Sequence, residues 1–349
     1  MHLINIRRVG ISLNVPPAET ILGAALAAGI PYPHGCKSGR CGGCKSRLIS
    51  GKVELLQHTP FALTDAEKRS GFILACRAQP RTDCEVAWLS SDPAGHPVVD
   101  WHLQVVSLDD ATHDIKVVRL ANGEAPFVFS PGQYAELAFP NCPPRNYSMA
   151  NLPGGSTLEF HVRRMPSGRA SMFVAHELKV GDRVRVRGPF GCAHLRTDHT
   201  GPILAIAGGS GLAPIAAIVE GAVENAMRQP VRVYFGARTE RDIYGEDRFR
   251  VAAMSHPDLT FTPVVSEDND ANGRRTGLVT AAVAQDIPSM CGWKAYVAGP
   301  PKMVEAATVM LAERGLRPDD VHADAFYASD DQPAAGVAAP IVAFEENLT

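Results

Sequence analysis

The sequence predicts a multidomain chain: an α+β module first, a small antiparallel β-barrel next, and a doubly wound parallel α/β sheet toward the C-terminus. Three observations predict it. Residues 1–94 carry short strand and helix patterns around a loop rich in glycine and cysteine. Residues 99–197 carry many short strand patterns broken by turns, and residues 200–329 alternate buried-strand and helix patterns. A length of 349 residues fits two or three domains.

In chain order, Leu3–Arg7 and Ile11–Val15 read as strands and Thr20–Ala28 as a small helix. Thr64-Asp65-Ala66-Glu67 has the pattern of a capping box, so a second helix begins there. Ser91 to Pro97 is turn-rich and reads as a linker. Leu103–Leu108, Ile115–Leu120, Tyr134–Phe139, Thr157–Val162 and Arg183–Arg187 are the barrel strands, interrupted by a helix over Ala170–Leu178. Ile203–Ala207, Val231–Phe235, Leu259–Val265 and Lys294–Val297 read as buried strands, with helices over Leu212–Met227, Thr276–Ala284 and Pro301–Arg314. Residues 330–349 read as a flexible tail, in which Ile341-Val342-Ala343-Phe344 is a disordered end or a docking motif.

The composition, 45% hydrophobic and 20% charged with a net charge of −3, suits a globular protein and argues against a nucleic-acid binder. The N-terminus has no apolar run of signal-peptide length. Pro202 to Val223 resembles a membrane span only superficially, because Gly208-Gly209-Ser210-Gly211 and Pro214 interrupt it. The expected compartment is the cytoplasm, where disulfides are rare, so the eight cysteines read as free thiols or metal ligands.

Cys36, Cys41 and Cys44 form C-x4-C-x2-C, and Cys76 follows in an apolar stretch. Plant-type [2Fe-2S] ferredoxins use this spacing with a distant fourth cysteine. Two irons need four thiolates, and one loop supplies three of them only if its backbone wraps closely. Gly35, Gly39, Gly42 and Gly43 permit that wrapping and bring N–H groups near the sulfurs. A zinc site usually pairs two C-x2-C units, and only one is present. Cys84, Cys142, Cys192 and Cys291 read as structural or incidental thiols. Cys192-Ala193-His194 is half of a Rieske pattern without its partner.

Arg145-Asn146-Tyr147-Ser148 matches the R-x-Y-S pattern of the flavin barrel in proteins similar to ferredoxin–NADP reductase. The resemblance implies Arg145 on the pyrophosphate, the Tyr147 ring along the flavin, and the Ser148 hydroxyl near flavin N5. Phe160-His161-Val162-Arg163 ends a strand, giving His161, Val162 and Arg163 as further flavin contacts. Gly168-Arg169-Ala170-Ser171 then opens a helix whose N–H groups suit a pyrophosphate, with Gly168 and Ser171 as contacts. Pro189-Phe190-Gly191 closes the barrel where the family has its G-P-F-G turn.

Gly208, Gly209, Ser210, Gly211, Ala213 and Pro214 follow one strand directly and open a helix, the setting that makes a dinucleotide loop credible. Arg238 ends the next strand, beside the adenosine ribose, and nearby Arg241 keeps NADPH open as an alternative to NADH. Gly299-Pro300-Pro301-Lys302-Met303 resembles a C-G-P-P-x-M signature beside the nicotinamide, with Ala298 at the cysteine position, giving Gly299, Pro300 and Met303 as contacts. Phe326 is either an ordinary core aromatic or, as the resemblance implies, an aromatic packed near the flavin.

Taken in this order, the motifs resemble the reductase components of aromatic ring-hydroxylating dioxygenases, with the terephthalate type nearest by Arg145–Leu152, Gly208–Pro214 and His322-Ala323-Asp324. The resemblance covers about residues 1–328. It implies a β-grasp ferredoxin domain, a six-stranded antiparallel barrel holding FAD and a parallel-sheet NADH domain, with Ser148 and Phe326 at the reacting centre. Hydride brings two electrons and a [2Fe-2S] cluster takes one, so a flavin is needed between them. The implied acceptor is a Rieske-type oxygenase docking at the loop Lys37–Gly43, with Lys37 and Arg40 as docking charges or as part of a merely solvated loop. Reduction of a di-iron monooxygenase or a CDP-deoxysugar dehydratase, or a non-catalytic redox sensor, are the competing readings.

Overall fold

The computed structural model describes residues 1–60, 62–89, 96–121, 123, 125–268 and 273–327, and the backbone of 341–345. Most of the expected linker, Ser91 to Gly95, and the tail segment Asp331 to Gly336 lie outside the described residues. The chain packs as two compact units, residues 1–95 with 330–349, and residues 96–329. The expected barrel and nucleotide domains therefore share one unit.

In the first unit, β1 (His2–Ile6) pairs antiparallel with β2 (Ile11–Val15) and parallel with β6 (Cys84–Trp88). The long β3 (Lys45–Leu55) pairs with β6, β4 (Phe72–Leu74) and β5 (Ala78–Pro80), and α1 (Ile21–Ala27) packs on this sheet. This is the expected β-grasp ferredoxin arrangement. Thr20 caps α1 by accepting from Gly23 N–H. The helix α2 (Asp65–Arg69) begins with the predicted capping box: Thr64 Oγ1 accepts from Glu67 N–H, and Glu67 Oε2 accepts from Thr64 N–H. Ile341–Glu345, within the expected flexible tail, forms a strand antiparallel to Ser50–Glu54 of β3. An Ile-Val-Ala-Phe run has high strand propensity, and strand edges recruit such segments.

In the second unit, β7 (Val99–Asp110), β8 (Ile115–Ala121), β9 (Tyr134–Ala138), β10 (Arg145–Ser148), β11 (Thr157–Arg163) and β12 (Arg183–Phe190) form an antiparallel sheet ordered β10-β9-β12-β7-β8-β11. A bridge between Met149 and Phe160 brings its two ends together, so the barrel nearly closes. The R-x-Y-S motif, read only as a motif, is itself the strand β10. Next follow β13 (Ile203–Gly208), β14 (Val231–Ala237), β15 (Leu259–Val265), β16 (Arg275–Thr276), β17 (Lys294–Gly299) and β18 (Val321–Ala325), all parallel in the order β16-β15-β14-β13-β17-β18. Every residue of β13 is buried, as a strand covered on both faces must be. The helices α4 (Leu212–Glu224) and α5 (Glu246–Ser255) pack together, as do α6 (Val279–Asp286) and α7 (Pro301–Glu313). The strand order reverses at β13, and ligands of such sheets bind at the carboxyl ends beside that switch point. Among the described residues no helix is long and apolar enough to cross a membrane.

Candidate functional site

The cysteine loop is anchored from behind. Tyr32 is fully buried with its ring edge-on to Trp88 at 4.9 Å, and its hydroxyl lies 2.7 Å from Ser46 Oγ at the start of β3. Between them the loop turns its amides onto its sulfurs. Ser38 and Arg40 N–H donate to Cys36 Sγ at 3.4 and 3.2 Å, and Cys36 and Gly43 N–H donate to Cys41 Sγ at 3.3 and 3.4 Å. Cys76 N–H donates to Cys44 Sγ at 3.4 Å. A side chain at Gly35 would put Cβ 2.8 Å from Cys41 Sγ, and Gly39 and Gly42 both take φ +74°, so three of the glycines are required by the wrapping. The Cys36 thiol is drawn down to about 5, first by its hydrogen bond with Cys41 and then, against burial, by the Ser38 side chain and the Ser38 and Arg40 amides. Sulfurs ringed by N–H donors suit the thiolates of an anionic cluster. None of the eight cysteines is in a disulfide, and Cys291 is exposed.

Lys37 is exposed, but Arg40 is only 7% exposed. Arg40, expected with Lys37 as a docking charge or as part of a merely solvated loop, is thus buried rather than presented to a partner.

The motif residues of the barrel fall at its edge and around α3 (Arg169–His176). The Arg145 guanidinium donates to Pro144 O at 2.9 Å. Tyr147 is half-buried and its phenol is pushed up to about 12 by burial, so it is neutral. Gly168 caps α3 without a side-chain acceptor, and a Cβ there would lie 2.6 Å from Ser171 Oγ, which accepts from Met165 N–H at 3.1 Å. Both the small residue and the uncapped N–H groups suit a pyrophosphate.

The nucleotide motifs interlock. A Cβ on Gly211 would sit 2.1 Å from Ala298 O, one on Gly208 2.6 Å from Met303 Sδ, and one on Gly299, at φ +142°, 2.7 Å from Gly208 O. Gly209–Gly211 forms a short 3-10 turn that leads into α4, whose start also lacks a side-chain cap. Ala213 and Pro214 are buried in the first turn of α4. Phe326 N–H donates to Gly299 O at 2.9 Å, and its half-buried ring packs on the core of this domain.

The two halves meet where Ser148, His161, Arg163 and Arg238, each with an expected cofactor role, bond to residues with none. Ser148 Oγ donates to Asp324 Oδ2 on β18 at 3.3 Å, which brings the flavin motif beside Phe326 and Gly299. Arg163 and Arg238 both donate to Asp114 Oδ2, at 2.9 and 3.3 Å, and Arg238 also reaches Asp242 Oδ1 at 3.3 Å. His161 has protein partners at both ring nitrogens: Glu159 Oε1 at 3.2 Å and Tyr244 Oη at 3.0 Å. Val162, also expected at the flavin, is 2% exposed. Arg248 on α5 donates to Glu220 on α4, to Glu159 Oε1 at 2.8 Å and to Ala150 O at 2.6 Å, clamping nucleotide domain to barrel. The only sequence trace of this junction is chemical: acids and a tyrosine placed just after β14, and Asp324 within a stretch noted for its likeness alone.

Three family models match in chain order: 2Fe-2S iron-sulfur cluster binding domain over residues 4–81, oxidoreductase FAD-binding domain over 102–195, and oxidoreductase NAD-binding domain over 205–308. Over 331 residues the chain is 41% identical to the ferredoxin–NAD(P)+ reductase component of the naphthalene 1,2-dioxygenase/salicylate 5-hydroxylase systems of a Ralstonia species, covering 94% of this chain and 99% of that one. The chain belongs to the family of oxygenase reductase components. The corresponding reductase of the naphthalene 1,2-dioxygenase system of Pseudomonas putida is 39% identical over 86% of this chain and 90% of its own. Among solved structures, the Amycolatopsis cytochrome P450 reductase GcoB is similar with a TM-score of 0.75 and 35% identity, covering 93% of this chain and 99% of that one. The reductase is therefore an oxidoreductase that carries electrons from a nicotinamide dinucleotide through FAD and a 2Fe-2S cluster to an oxygenase component.

Proposed function

We propose that this reductase draws on NADH and supplies a Rieske-type oxygenase acting on aromatic acids of the terephthalate kind. The observation that carries its redox half is the junction where Ser148 meets Asp324 and Phe326 meets Gly299, since it joins the flavin and nicotinamide motifs at the switch point of the sheet. FAD, when bound, takes the two electrons of a hydride together and releases them singly, as a [2Fe-2S] cluster requires. On this reading Arg145, Tyr147, Ser148, Gly168 and Ser171 hold FAD, and Cys36, Cys41, Cys44 and Cys76 hold the cluster. Gly208, Gly209, Ser210, Gly211, Arg238, Gly299, Pro300 and Met303 line the dinucleotide site, with Phe326 at its flavin edge. Arg238 is already charge-balanced by Asp114 and Asp242, which favours a ribose hydroxyl over a 2′-phosphate and hence NADH.

The partner half rests on likeness to the dioxygenase reductases, whose systems act on aromatic rings by their names. The exposed Lys37, beside the cluster ligand Cys36, is the charge offered for transient docking. Eight cysteines with no disulfide among them suit the reducing cytoplasm as the compartment. Purified chain should be bleached faster by NADH than by NADPH. It should then support product formation by a purified Rieske aromatic oxygenase, and less so by a cytochrome P450 or a di-iron monooxygenase. Turnover with either of the latter and none with any Rieske oxygenase would overturn the partner assignment and leave the reductase assignment standing.

A further inference from the structure

We propose that Tyr244 is a positioning residue for hydride transfer: its hydroxyl, shared between His161 of the barrel and the Gly209 carbonyl of the glycine loop, sets where that loop stands relative to the barrel. The inference rests on reading that loop as the NADH site. Tyr244 Oη lies 3.0 Å from His161 Nδ1 and 3.3 Å from Gly209 O. The side chain is held from both directions along the chain. Before it, Thr239 and Asp242 close a capping box; after it, Gly245 takes φ +75°, where a Cβ would lie 2.8 Å from Leu212 Cδ2. Its ring stands edge-on to Phe235 at 5.7 Å and to His161 at 5.4 Å.

Counting hydrogens gives the contact its meaning. Gly209 O only accepts. Glu159, held as a carboxylate by Arg248 and Arg119, also only accepts, and it faces His161 Nε2. Burial keeps His161 neutral by lowering its pKa, so the ring has one N–H. If that hydrogen sits on Nε2, it serves Glu159; Nδ1 then takes the phenol hydrogen and Gly209 O loses its donor. If it sits on Nδ1, the phenol serves Gly209 O, but Nε2 turns a lone pair toward Glu159. The pair Nδ1 and Nε2 is thus one hydrogen short of satisfying every acceptor in the row. The glycine loop is held only in the second arrangement, where the phenol donates to Gly209 O across 3.3 Å, a longer contact than the 3.0 Å to His161, so the loop has room to settle on its ligand. A loop tethered loosely at one carbonyl across a domain junction governs how the dinucleotide meets the barrel, where an error of about an ångström costs rate.

The test uses the full chain loaded with flavin and cluster. Tyr244→Phe keeps both ring contacts and removes only the oxygen. Two readouts are compared with wild type: hydrogen–deuterium exchange over residues 203–212 without nucleotide, and anaerobic flavin bleaching at saturating NADH, with dithionite as a reductant that needs no loop. Exchange should quicken and the limiting NADH rate should fall, each about fivefold, the scale of one net hydrogen bond, while dithionite reduction stays unchanged. Unchanged exchange, or quicker exchange with wild-type bleaching by NADH, would overturn the inference. Wild-type chain that NADH fails to bleach would instead overturn the assigned function.

Discussion

Glu159 shows how one side chain joins fold to site. It is 9% exposed, yet it is surrounded by His161, Arg248 and Arg119. Burial works to raise its pKa and is outweighed by the His161 hydrogen bond and the two guanidiniums, so the carboxyl falls from 4.5 to about 2. A carboxylate depressed in the folded state contributes stability that is complete above the unfolded value and is lost as pH falls toward the folded one. Glu159→Gln should therefore lower the unfolding free energy of the barrel and nucleotide unit at neutral pH by on the order of 3 kcal/mol, as for a broken buried pair. The gap to wild type should close between pH 4.5 and about 2, as read by near-UV circular dichroism. A gap independent of pH would show that the charge is not what matters. At this scale, legibility depends on sequence distance. The loop cysteines Cys36 and Cys41 announce themselves because the amides that reach them lie two to five residues away. Ser148 and Asp324 are 176 residues apart and His161 and Tyr244 are 83 apart, so nothing local marks them as pairs.

Elements with a cap or a clean period were legible, and elements held by tertiary pairing were not. Thr64 and Glu67 form the box their spacing predicts, and Glu67 also pairs with Lys45 at 2.6 Å, one residue after the cluster ligand Cys44. Thr64→Ala removes the cap and leaves that ion pair. It should destabilise the ferredoxin unit by about 1 kcal/mol, or roughly 4–8 °C in a domain of this size. The cluster absorbance should persist at low temperature, because α2 buries no residue in the core. Thermal melts followed at the cluster band decide it, and an unchanged midpoint would deny the cap its role. By contrast, β3 runs through Gly51 at φ +96° and a register shift between Leu48 and Ser50, which hide its 11 residues from any alternation test. The helix α5 is hidden in the sequence for another reason. Its buried face is only Phe249 and Ala252, too narrow a stripe to register as a period.

The three sheets and their order follow from texture alone, but the return of the chain does not. It leaves the ferredoxin unit after Gly95 and rejoins it at Asp330, so the unit is joined to the rest of the molecule at both of its ends. The rejoining strand pairs Ile341 with Glu54 through Glu345 with Ser50, a partner nearly the whole chain length away. Composition could mark those residues as a strand but not say whose edge it covers. A bare edge exposes unpaired N–H and C=O groups and invites other chains. A chain ending at residue 340 should therefore show faster hydrogen exchange over Ser50–Glu54 and more self-association by light scattering, while its flavin, held in the other unit, is bleached by NADH at the wild-type rate. If exchange at Ser50–Glu54 stays slow in the shortened chain, β3 is protected by β5 and β6 alone, and the second join between the units carries no weight in the ferredoxin fold.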